Sequence, residues 1–340
     1  MHSHDDAGTE RMDFTADGAR RAMREILPHL GYDTNETEII ADQLLDAALC
    51  GYEYSGLPKI LDLASHPKAA LPRTAPRIQH ETPVSALIDG GNTVGMLALH
   101  TAIEEAKKRA AQHGFAVVGV YNSWMTGRSA YFVEQLADAG LIGMLAVSSF
   151  SIVAPPGAAA PAIGTNPIAF GFPTAADPLL IDLGTSAYMV SELSLVQRRG
   201  GSLPPGVAID RIGNPTCDPQ SAREGSILNF AGYRGFAIGL AMQALGVMAG
   251  SALSPNKDYG YLLVAMRPDL LVPLEDYRRQ LSETLARIKA TPKQEGVSDI
   301  RLPSERALAE RRRRGAEGIS IDKHIWQQLQ ALCHNIEETQ

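Results

Sequence analysis

Cysteine is scarce in this sequence, and its three cysteines are too widely separated to act as a group. Cys50, Cys217 and Cys333 form no Cys-x-x-Cys pair, so the sequence gives no sign of a disulfide framework or of a cysteine-based metal site. Reduced thiols are typical of a cytoplasmic protein. We therefore predict a cytoplasmic protein with no metal site.

A concentrated positive charge is also missing. The formal net charge of −7 argues against nucleic acid as a partner, because binding a phosphate backbone needs a basic surface. The polar, acidic start of the chain is unlike a signal peptide, and we expect residues 1–12, with His2 and His4, to form a disordered tail. The most membrane-like run, residues 236–253, is rich in Gly, Ala and Met, which predicts a buried helix and no membrane partner.

The sequence has no Gly-x-Gly-x-x-Gly motif, so it gives no sign of a Rossmann fold. Hydrophobic periodicity alternates instead between helical and strand patterns. It predicts helices at 15–30, 36–49, 95–113, 131–139, 187–199 and 274–289, and strands at 85–88, 116–121, 141–148, 168–172, 179–183 and 262–266. Asn35 with Glu38 predicts a capping box for the second helix, and residues 90–92 predict a turn. The pattern indicates an α/β protein.

Residues 163–186 are the stretch around which we organise the chain. Two apolar strands, 168–172 and 179–183, flank a turn that contains two prolines, and small hydroxyl and glycine residues lie at their ends. Such a segment can bring backbone N–H groups to the mouth of a sheet, where a pocket can form. On the residues alone, an ordinary pair of core strands with its loop is the more common interpretation.

Several motifs carry a family resemblance. The strings GTNPIAF at 164–170 and IDLGTS at 181–186 are followed by a matching proline- and glycine-rich loop at 203–219. Shorter matches are spread along the chain, at 51–59, 122–127, 231–235 and 300–306. Their order resembles the malate/L-lactate dehydrogenase family of the second type, which contains non-Rossmann nicotinamide oxidoreductases, including Δ1-piperideine-2-carboxylate reductases.

The resemblance implies a mixed, mostly antiparallel cofactor-binding sheet inserted into a helical α/β domain. The expected divisions are a disordered tail (1–12), an N-terminal and C-terminal α/β domain (13–115 plus 299–336) and an NAD(P)-binding domain (116–298). Family members generally form homodimers and act on small molecules. We therefore expect a homodimer with a small-molecule substrate.

Three histidines of the family motifs are replaced in this sequence. Ser55 stands where the family has its proton donor, Met125 where it has a second histidine, and Tyr233 where it has a third. In the first motif, Tyr54 replaces a serine and Lys59 replaces the arginine that grips the substrate carboxylate. Ser55, Tyr54 and Tyr233 are therefore the candidate catalytic or proton-relay groups.

The resemblance also implies substrate-binding residues. Lys59 would pair the carboxylate as a point charge, which is less selective in geometry than an arginine. Thr165 and Asn166 would orient the substrate, and Trp124 with Met125 would form an apolar wall.

A nicotinamide cofactor, NADPH or NADH, is implied in the same way, and the reductive members of the family favour NADPH. The residues carried over for cofactor binding are Asp182, Gly184, Thr185, Ser186, Arg234, Gly235, Pro303, Ser304 and Glu305. Arg234 keeps the positive charge expected near a phosphate.

The missing histidines favour reduction of a C=N bond. Hydride transfer to a ketone creates an alkoxide that needs a proton donor, whereas an imine can be protonated before the hydride arrives. We therefore predict an NAD(P)H-dependent reductase of a cyclic imino acid, with a bulky biosynthetic intermediate as one possible substrate. Two alternatives stay open: a 2-oxo-acid or 2-hydroxy-acid dehydrogenase in which Tyr54 is the acid, and a degenerate homologue that binds a nucleotide without redox chemistry.

Overall fold

The computed structural model of the protein describes residues 10–334, which form two compact units. One unit comprises the described parts of Met1–Ala70 and Ala307–Gln340, and the other is Leu71–Arg306. The second unit contains the whole segment 116–298 that the sequence predicts to bind the cofactor. It also contains residues 71–115, which the sequence assigns to the other domain.

Helices lie close to the positions that periodicity predicts, and short helices at 59–65 and 219–224 are found in addition. In chain order they are α1 (Ala16–Ile26), α2 (Thr34–Leu49), α3 (Lys59–Ser65), α4 (Gly95–His113), α5 (Ala130–Asp138), α6 (Val190–Arg198), α7 (Pro219–Glu224), α8 (Tyr233–Met248), α9 (Leu274–Lys289), α10 (Glu305–Glu317) and α11 (Lys323–His334). The predicted first helix ends early because Pro28, which has no N–H group, lies in a 3₁₀ turn at Leu27–Leu30.

Eleven strands are described, and five of them, at 11–14, 77–82, 208–209, 226–227 and 319–322, are not predicted from the sequence. They are β1 (Arg11–Phe14), β2 (Arg77–Thr82), β3 (Ser85–Val94), β4 (Phe115–Trp124), β5 (Ile142–Ser148), β6 (Ile168–Phe172), β7 (Leu179–Leu183), β8 (Ala208–Ile209), β9 (Ser226–Ile227), β10 (Gly260–Met266) and β11 (Ile319–Asp322).

Seven strands of the second unit form one sheet in the order β2-β3-β4-β10-β5-β6-β7. The β3–β4 pair is parallel and the other neighbouring pairs are antiparallel. Helix α4 packs on β3, β4 and β10, helix α8 on β5 and β10, and helix α5 on β5, β6 and β7. The α/β fold with a mixed, mostly antiparallel sheet is confirmed, and it differs from the parallel sheet of a Rossmann fold.

The capping box of α2 lies two residues earlier than predicted. Asp33 is the N-cap: its carboxylate accepts from the Glu36 N–H at 2.9 Å, and the Glu36 carboxylate accepts from the Asp33 N–H at 3.0 Å. The prediction that Asn35 and Glu38 form this box is therefore wrong. Glu38 instead pairs with Arg24 of α1.

The predicted turn at 90–92 is a bulge inside strand β3. Gly91 and Asn92 have φ values of 60° and 59°, and the pairing with β4 shifts its register between Asp89 and Thr93. A bulge lets the strand continue beyond its kink. For this reason β3 runs on to Val94 and ends directly at α4.

The beginning of the described chain is ordered. Strand β1 pairs antiparallel with β11, with Arg11 opposite Asp322 and Phe14 opposite Ile319. The ring of Phe14 packs edge-on against Trp326, with ring centroids 4.8 Å apart. The expectation of disorder therefore fails at Arg11 and Met12, while His2 and His4 lie outside the described residues.

Helix α8 is only half buried in the single chain. The predicted element at 236–253 begins earlier, at Tyr233, and ends at Met248, before a short 3₁₀ turn. Gly235, Gly239, Met242 and Gly246 face the interior, while Leu240, Val247 and Met248 are exposed. The prediction of a buried helix fails because the helix is apolar on all sides and the sheet covers one of them. No helix within residues 10–334 is long and apolar enough to cross a membrane.

Candidate active site

The loop that carries Tyr54, Ser55 and Lys59 is fixed by two glycines in the first unit. Gly51 has a φ of 82°, which allows the chain to leave α2 in a left-handed conformation. A β-carbon at Gly56 would lie 2.8 Å from the β-carbon of Ala48, so only glycine can pack there. Tyr54 and Ser55 lie between them in a single 3₁₀ turn, and Lys59 is the first residue of α3.

Burial distinguishes the three candidate residues of this loop. Lys59, which carries an ammonium group, is only 4% exposed, and Ser55 is also buried. Tyr54 is partly exposed, and its ring contacts that of Tyr52 at a centroid distance of 6.1 Å. A buried ammonium group interacts strongly with a carboxylate, because little water screens the pair.

Unusual backbone conformations are concentrated at the carboxyl ends of the parallel strands β3 and β4. Asn92, Asn122 and Met125 have φ values of 59°, 51° and 58°. The Asp89 carboxylate holds this region, since it accepts from the Gly91 N–H at 2.9 Å and from the Asn122 amide at 2.7 Å. Such conformations cost free energy and are often found at functional sites.

Trp124 and Met125 differ in their surroundings. Trp124 is 2% exposed, and its indole N–H donates to the carbonyl oxygen of Asn92 at 3.0 Å. The indole therefore joins β4 to the bulge of β3. Met125 is half-buried, so it is the member of the pair whose side chain reaches the protein surface.

Thr165 and Asn166 form a buried junction in the second unit. The Asn166 amide donates to the Gly239 carbonyl at 2.9 Å and to the Gln243 side chain at 3.0 Å, both on α8, and its oxygen accepts from the Ser149 N–H at 3.1 Å. The Thr165 carbonyl accepts both the N–H and the hydroxyl of Thr185. These groups attach the segment to α8 and to the 182–186 segment.

Asp182 lies at the amino end of α5. Its carboxylate accepts from the Ala130 N–H at 2.8 Å. Burial raises the pKa of this carboxyl above its ordinary value, and the effect exceeds the opposing influence of the Ala130 N–H and the nearby Arg128 guanidinium. Asp182 thus couples strand β7 to helix α5.

The glycine and hydroxyl residues that follow Asp182 are also bound within the chain. Thr185 and Ser186 are buried, and the Ser186 hydroxyl donates to the Tyr188 carbonyl at 2.7 Å. A β-carbon at Gly184 would lie 2.7 Å from the Met189 sulfur. This segment is a close-packed backbone whose side chains bind neighbouring segments.

The amino end of α8 has the features that suit an anionic cofactor. Among the described residues, no side chain caps the first turn of α8, where Gly232 has a φ of 58°. Arg234 is exposed and Tyr233 is 73% exposed, while Gly235 packs so tightly that a β-carbon would lie 2.2 Å from the Phe230 carbonyl oxygen. A helix amino end with an arginine is a favourable place for a phosphate group.

The turn that contains Pro303, Ser304 and Glu305 is held from within. Ser304 has a φ of 61°, and the Glu305 carboxylate accepts from the Leu302 N–H at 2.9 Å and from Lys289 at 2.8 Å. The Glu305 side chain is therefore engaged by a lysine. Across residues 10–334 no cluster of histidine, cysteine and acidic residues could hold a metal ion.

Two features of these regions were missed from the sequence. Asp89 organises the ends of β3 and β4, and Arg128 is a buried arginine just before α5. An aspartate at the end of a predicted strand is a weak signal, which the predicted turn at 90–92 obscured. Arg128 gave no signal, because a lone arginine after a loop glycine usually lies at the surface.

The chain is similar to proteins of known activity over most of its length. The model of the malate/L-lactate dehydrogenase family matches residues 14–330. An L-sulfolactate dehydrogenase of Methanothermobacter thermautotrophicus is 29% identical over 331 residues, covering 93% of this chain and 95% of that protein.

Solved structures agree with this assignment. A dehydrogenase from Sinorhizobium meliloti superposes with a TM-score of 0.87 at 27% identity and covers 96% of this chain and 99% of its own. The Δ1-piperideine-2-carboxylate reductase of Pseudomonas syringae pathovar tomato gives a TM-score of 0.81 at 26% identity, covering 94% and 99%. Taken with the mixed sheet and the ordered motifs, these matches show that the chain belongs to the malate/L-lactate dehydrogenase family and is an NAD(P)-dependent oxidoreductase.

Proposed function

We propose that this oxidoreductase transfers hydride from NADPH to the C=N bond of a cyclic imino acid. The observation that supports the proposal is the chemistry at the three motif positions. Ser55, Met125 and Tyr233 stand where the family motifs have histidine, so none of these positions has an imidazole to donate a proton. An imine protonated in solution reaches the enzyme as an iminium ion, and hydride addition then gives a neutral amine without a further proton.

A ketone would demand more of the same residues. Its reduction generates an alkoxide, and a serine hydroxyl is a poor acid at neutral pH compared with an imidazole. Loss of a general acid typically reduces the rate of such a reaction by about 10²–10⁴-fold. The imine substrate therefore matches these residues better than a ketone does.

The residues of the first unit have separate roles in this proposal. Lys59 pairs the substrate carboxylate, and its burial strengthens that ion pair. Tyr54 and Ser55 are the hydrogen-bonding groups at the reacting nitrogen, where a hydroxyl oxygen accepts from the iminium N–H. In the second unit, the predicted apolar residues are the buried Trp124 and the half-buried Met125.

The cofactor is proposed to bind through the second unit, within the predicted domain 116–298 and the turn at 303–305. The amino end of α8, with Arg234, would receive phosphate groups, and the 182–186 backbone would support the neighbouring part of the cofactor. When bound, the nicotinamide supplies the hydride. The preference for NADPH over NADH is part of the proposal, since Arg234 provides a positive charge near the predicted phosphate position.

A second candidate is the reduction of 2-oxo acids or the oxidation of 2-hydroxy acids. It is favoured by the relative named L-sulfolactate dehydrogenase, which matches this chain over nearly its whole length. In that reaction Tyr54 would take the place of the missing histidine as the acid. The partly exposed ring of Tyr54 is compatible with such a role.

The test is a comparison of two substrate panels. The purified protein is mixed with NADPH or NADH, and the loss of nicotinamide absorbance is followed with cyclic imino acids and with 2-oxo acids at neutral pH. We expect turnover of imines with NADPH to exceed that of oxo acids. Preferential turnover of oxo acids would replace the proposal by the second candidate, and silence in both panels would contradict both.

The assembly and location complete the proposal. A homodimer would cover the exposed apolar side of α8, and the site of action would be the cytoplasm, where the three free cysteines Cys50, Cys217 and Cys333 stay reduced.

A further inference from the structure

Arg11 of strand β1 makes a three-point contact that reaches the candidate catalytic loop. Its guanidinium donates to the Glu53 carboxylate at 3.0 Å, to the Ser320 hydroxyl at 2.8 Å and to the Ser320 carbonyl at 2.6 Å. All three residues belong to the first unit. The contact therefore ties together β1, β11 and the turn that starts at Glu53.

The ion pair between Arg11 and Glu53 is largely shielded from solvent. The side chains of Arg11 and Glu53 are only 25% and 22% exposed. A charged hydrogen bond in such surroundings is stronger and better oriented than a surface ion pair. The guanidinium is also held on its other side by Ser320, so it cannot follow Glu53 if the turn moves.

Glu53 anchors the turn at its first residue. It begins the 3₁₀ turn Glu53–Ser55, and its carbonyl oxygen accepts from the Gly56 N–H at 2.9 Å. A second backbone bond, from the Ser55 N–H to the Tyr52 carbonyl, is also 2.9 Å long. A single 3₁₀ turn has little stability of its own. The anchoring of the Glu53 side chain therefore adds a restraint on the orientation of Tyr54 and Ser55.

We propose that Arg11 is a positioning residue, which acts through Glu53 to hold Tyr54 and Ser55 in their reactive orientation. The inference rests on the proposed function, in which Tyr54 and Ser55 form hydrogen bonds at the reacting nitrogen. Lys59 has a second anchor, because it is the first residue of α3, which packs against α11. Loss of Arg11 should therefore reduce kcat and leave KM for an acid substrate nearly unchanged.

The experiment compares Arg11→Met with Arg24→Met in the full chain. Arg24 is a matched control, because it forms a two-point pair with Glu38 in the same unit, at 2.6 and 2.9 Å. Since a misplacement of about 1 Å can cost about 10²-fold in rate, we expect Arg11→Met to lower kcat about 10- to 100-fold with KM within about twofold. Arg24→Met should leave both unchanged, and Arg11→Lys should restore part of kcat.

Hydrogen exchange of the backbone amides supplies a readout that is independent of turnover. Exchange in the peptide covering residues 50–58 should be faster in Arg11→Met and unaltered in Arg24→Met. Glu53→Gln, which keeps the size of the side chain and leaves β1 intact, should give the same pattern to a smaller extent. This variant keeps the test decisive if Arg11→Met does not fold.

Several results would overturn the inference. Unchanged exchange at 50–58 would show that Arg11 does not hold the turn, and faster exchange with unchanged kcat would show that the turn does not matter for the reaction. A parallel rise of KM would indicate a general loss of structure. If the wild-type protein has no turnover in either substrate panel, the proposed function fails by itself, and the exchange data still decide whether Arg11 fixes the turn.

Discussion

Lys59 offers the most direct test of substrate recognition, because it replaces the arginine that the family motif uses to grip the substrate carboxylate. We expect Lys59→Met to raise KM for an acid substrate about 30-fold or more, from the 2–5 kcal/mol typical of losing one member of a buried charge pair. Steady-state kinetics measure the change. Lys68→Met is the control, since Lys68 is another buried lysine of the same unit. An unchanged KM in Lys59→Met would remove Lys59 from this role.

Ser55 allows the proposed substrate preference to be tested by restoring a proton donor. Ser55→His places an imidazole where the family motif has its proton donor, so it should increase 2-oxo-acid reduction relative to wild type by up to about 10²–10⁴-fold. Reduction of cyclic imines should not increase, because the iminium nitrogen is already protonated. Ser55→Ala provides the comparison without an acid. If Ser55→His folds and shows no gain with oxo acids, the missing imidazole is not what limits ketone turnover.

Asp182 makes a pH-dependent contribution to stability. Burial raises its pKa above 3.8, so the folded state binds this proton more tightly than the unfolded state. The resulting stabilisation is complete below pH 3.8 and is lost as the pH rises through the folded pKa. Thermal unfolding between pH 4 and pH 8 should therefore show a smaller decline of Tm in Asp182→Asn than in wild type. Parallel pH curves for the two proteins would contradict this prediction.

At the scale of single residues, the sequence predicts which positions form a turn better than it predicts which side chains form hydrogen bonds. Gly51, Gly56 and Pro58 mark the turn that brings Tyr54 and Lys59 into one loop. The hydrogen bonds of Asn166 and Asp182 could not be foreseen, because their partners on α8 and α5 lie 73 and 52 residues away. Whether these two residues also bind ligands stays a prediction.

Among the secondary-structure elements, α2 is preceded by two residue pairs that could each serve as its capping box. Asp33 with Glu36 and Asn35 with Glu38 both satisfy the capping-box pattern, and the structure uses the first pair. Asp33→Ala should lower the free energy of unfolding by about 1 kcal/mol, whereas Asn35→Ala should have little effect. Urea denaturation of both variants measures this. Equal losses in the two variants would contradict the assignment of the cap to Asp33.

Elements with strong local signals are predictable, and those that depend on distant partners are not. The bounds of α4 match because its apolar periodicity ends at Gly114, whose left-handed conformation closes the helix. Strand β1 has four residues and an alternating pattern too short to recognise. Its partner β11 lies some 300 positions further along the chain, beyond the reach of any local pattern.

At the scale of the whole molecule, the exposed side of α8 is the feature that a single chain leaves unexplained. Ala237, Leu240, Ala244, Val247 and Met248 follow one another at helical spacing, and all are exposed and apolar. A second copy could cover this side by the same surface, as a twofold interface requires. The proposed homodimer would account for a helix that is apolar all round.

A charge on this side of α8 should dissociate the proposed dimer. We expect Leu240→Glu to convert the protein to monomers, because a buried carboxylate without a partner is costly at an apolar interface. Leu271→Glu is the control, since Leu271 is 92% exposed and lies outside α8. Sedimentation velocity measures the mass of each species. A wild-type monomer, or a Leu240→Glu dimer, would refute this use of α8.

The pairing of β1 with β11 also determines the order in which the two units can fold during translation. The unit Leu71–Arg306 is continuous, so it can fold as soon as its own residues have emerged. Arg11–Phe14 must wait until Ile319–Asp322 have been translated, more than 300 codons later. During that interval α1 lacks its contacts with α11 and with the paired β1, so its apolar side stays uncovered while the rest of the chain is translated.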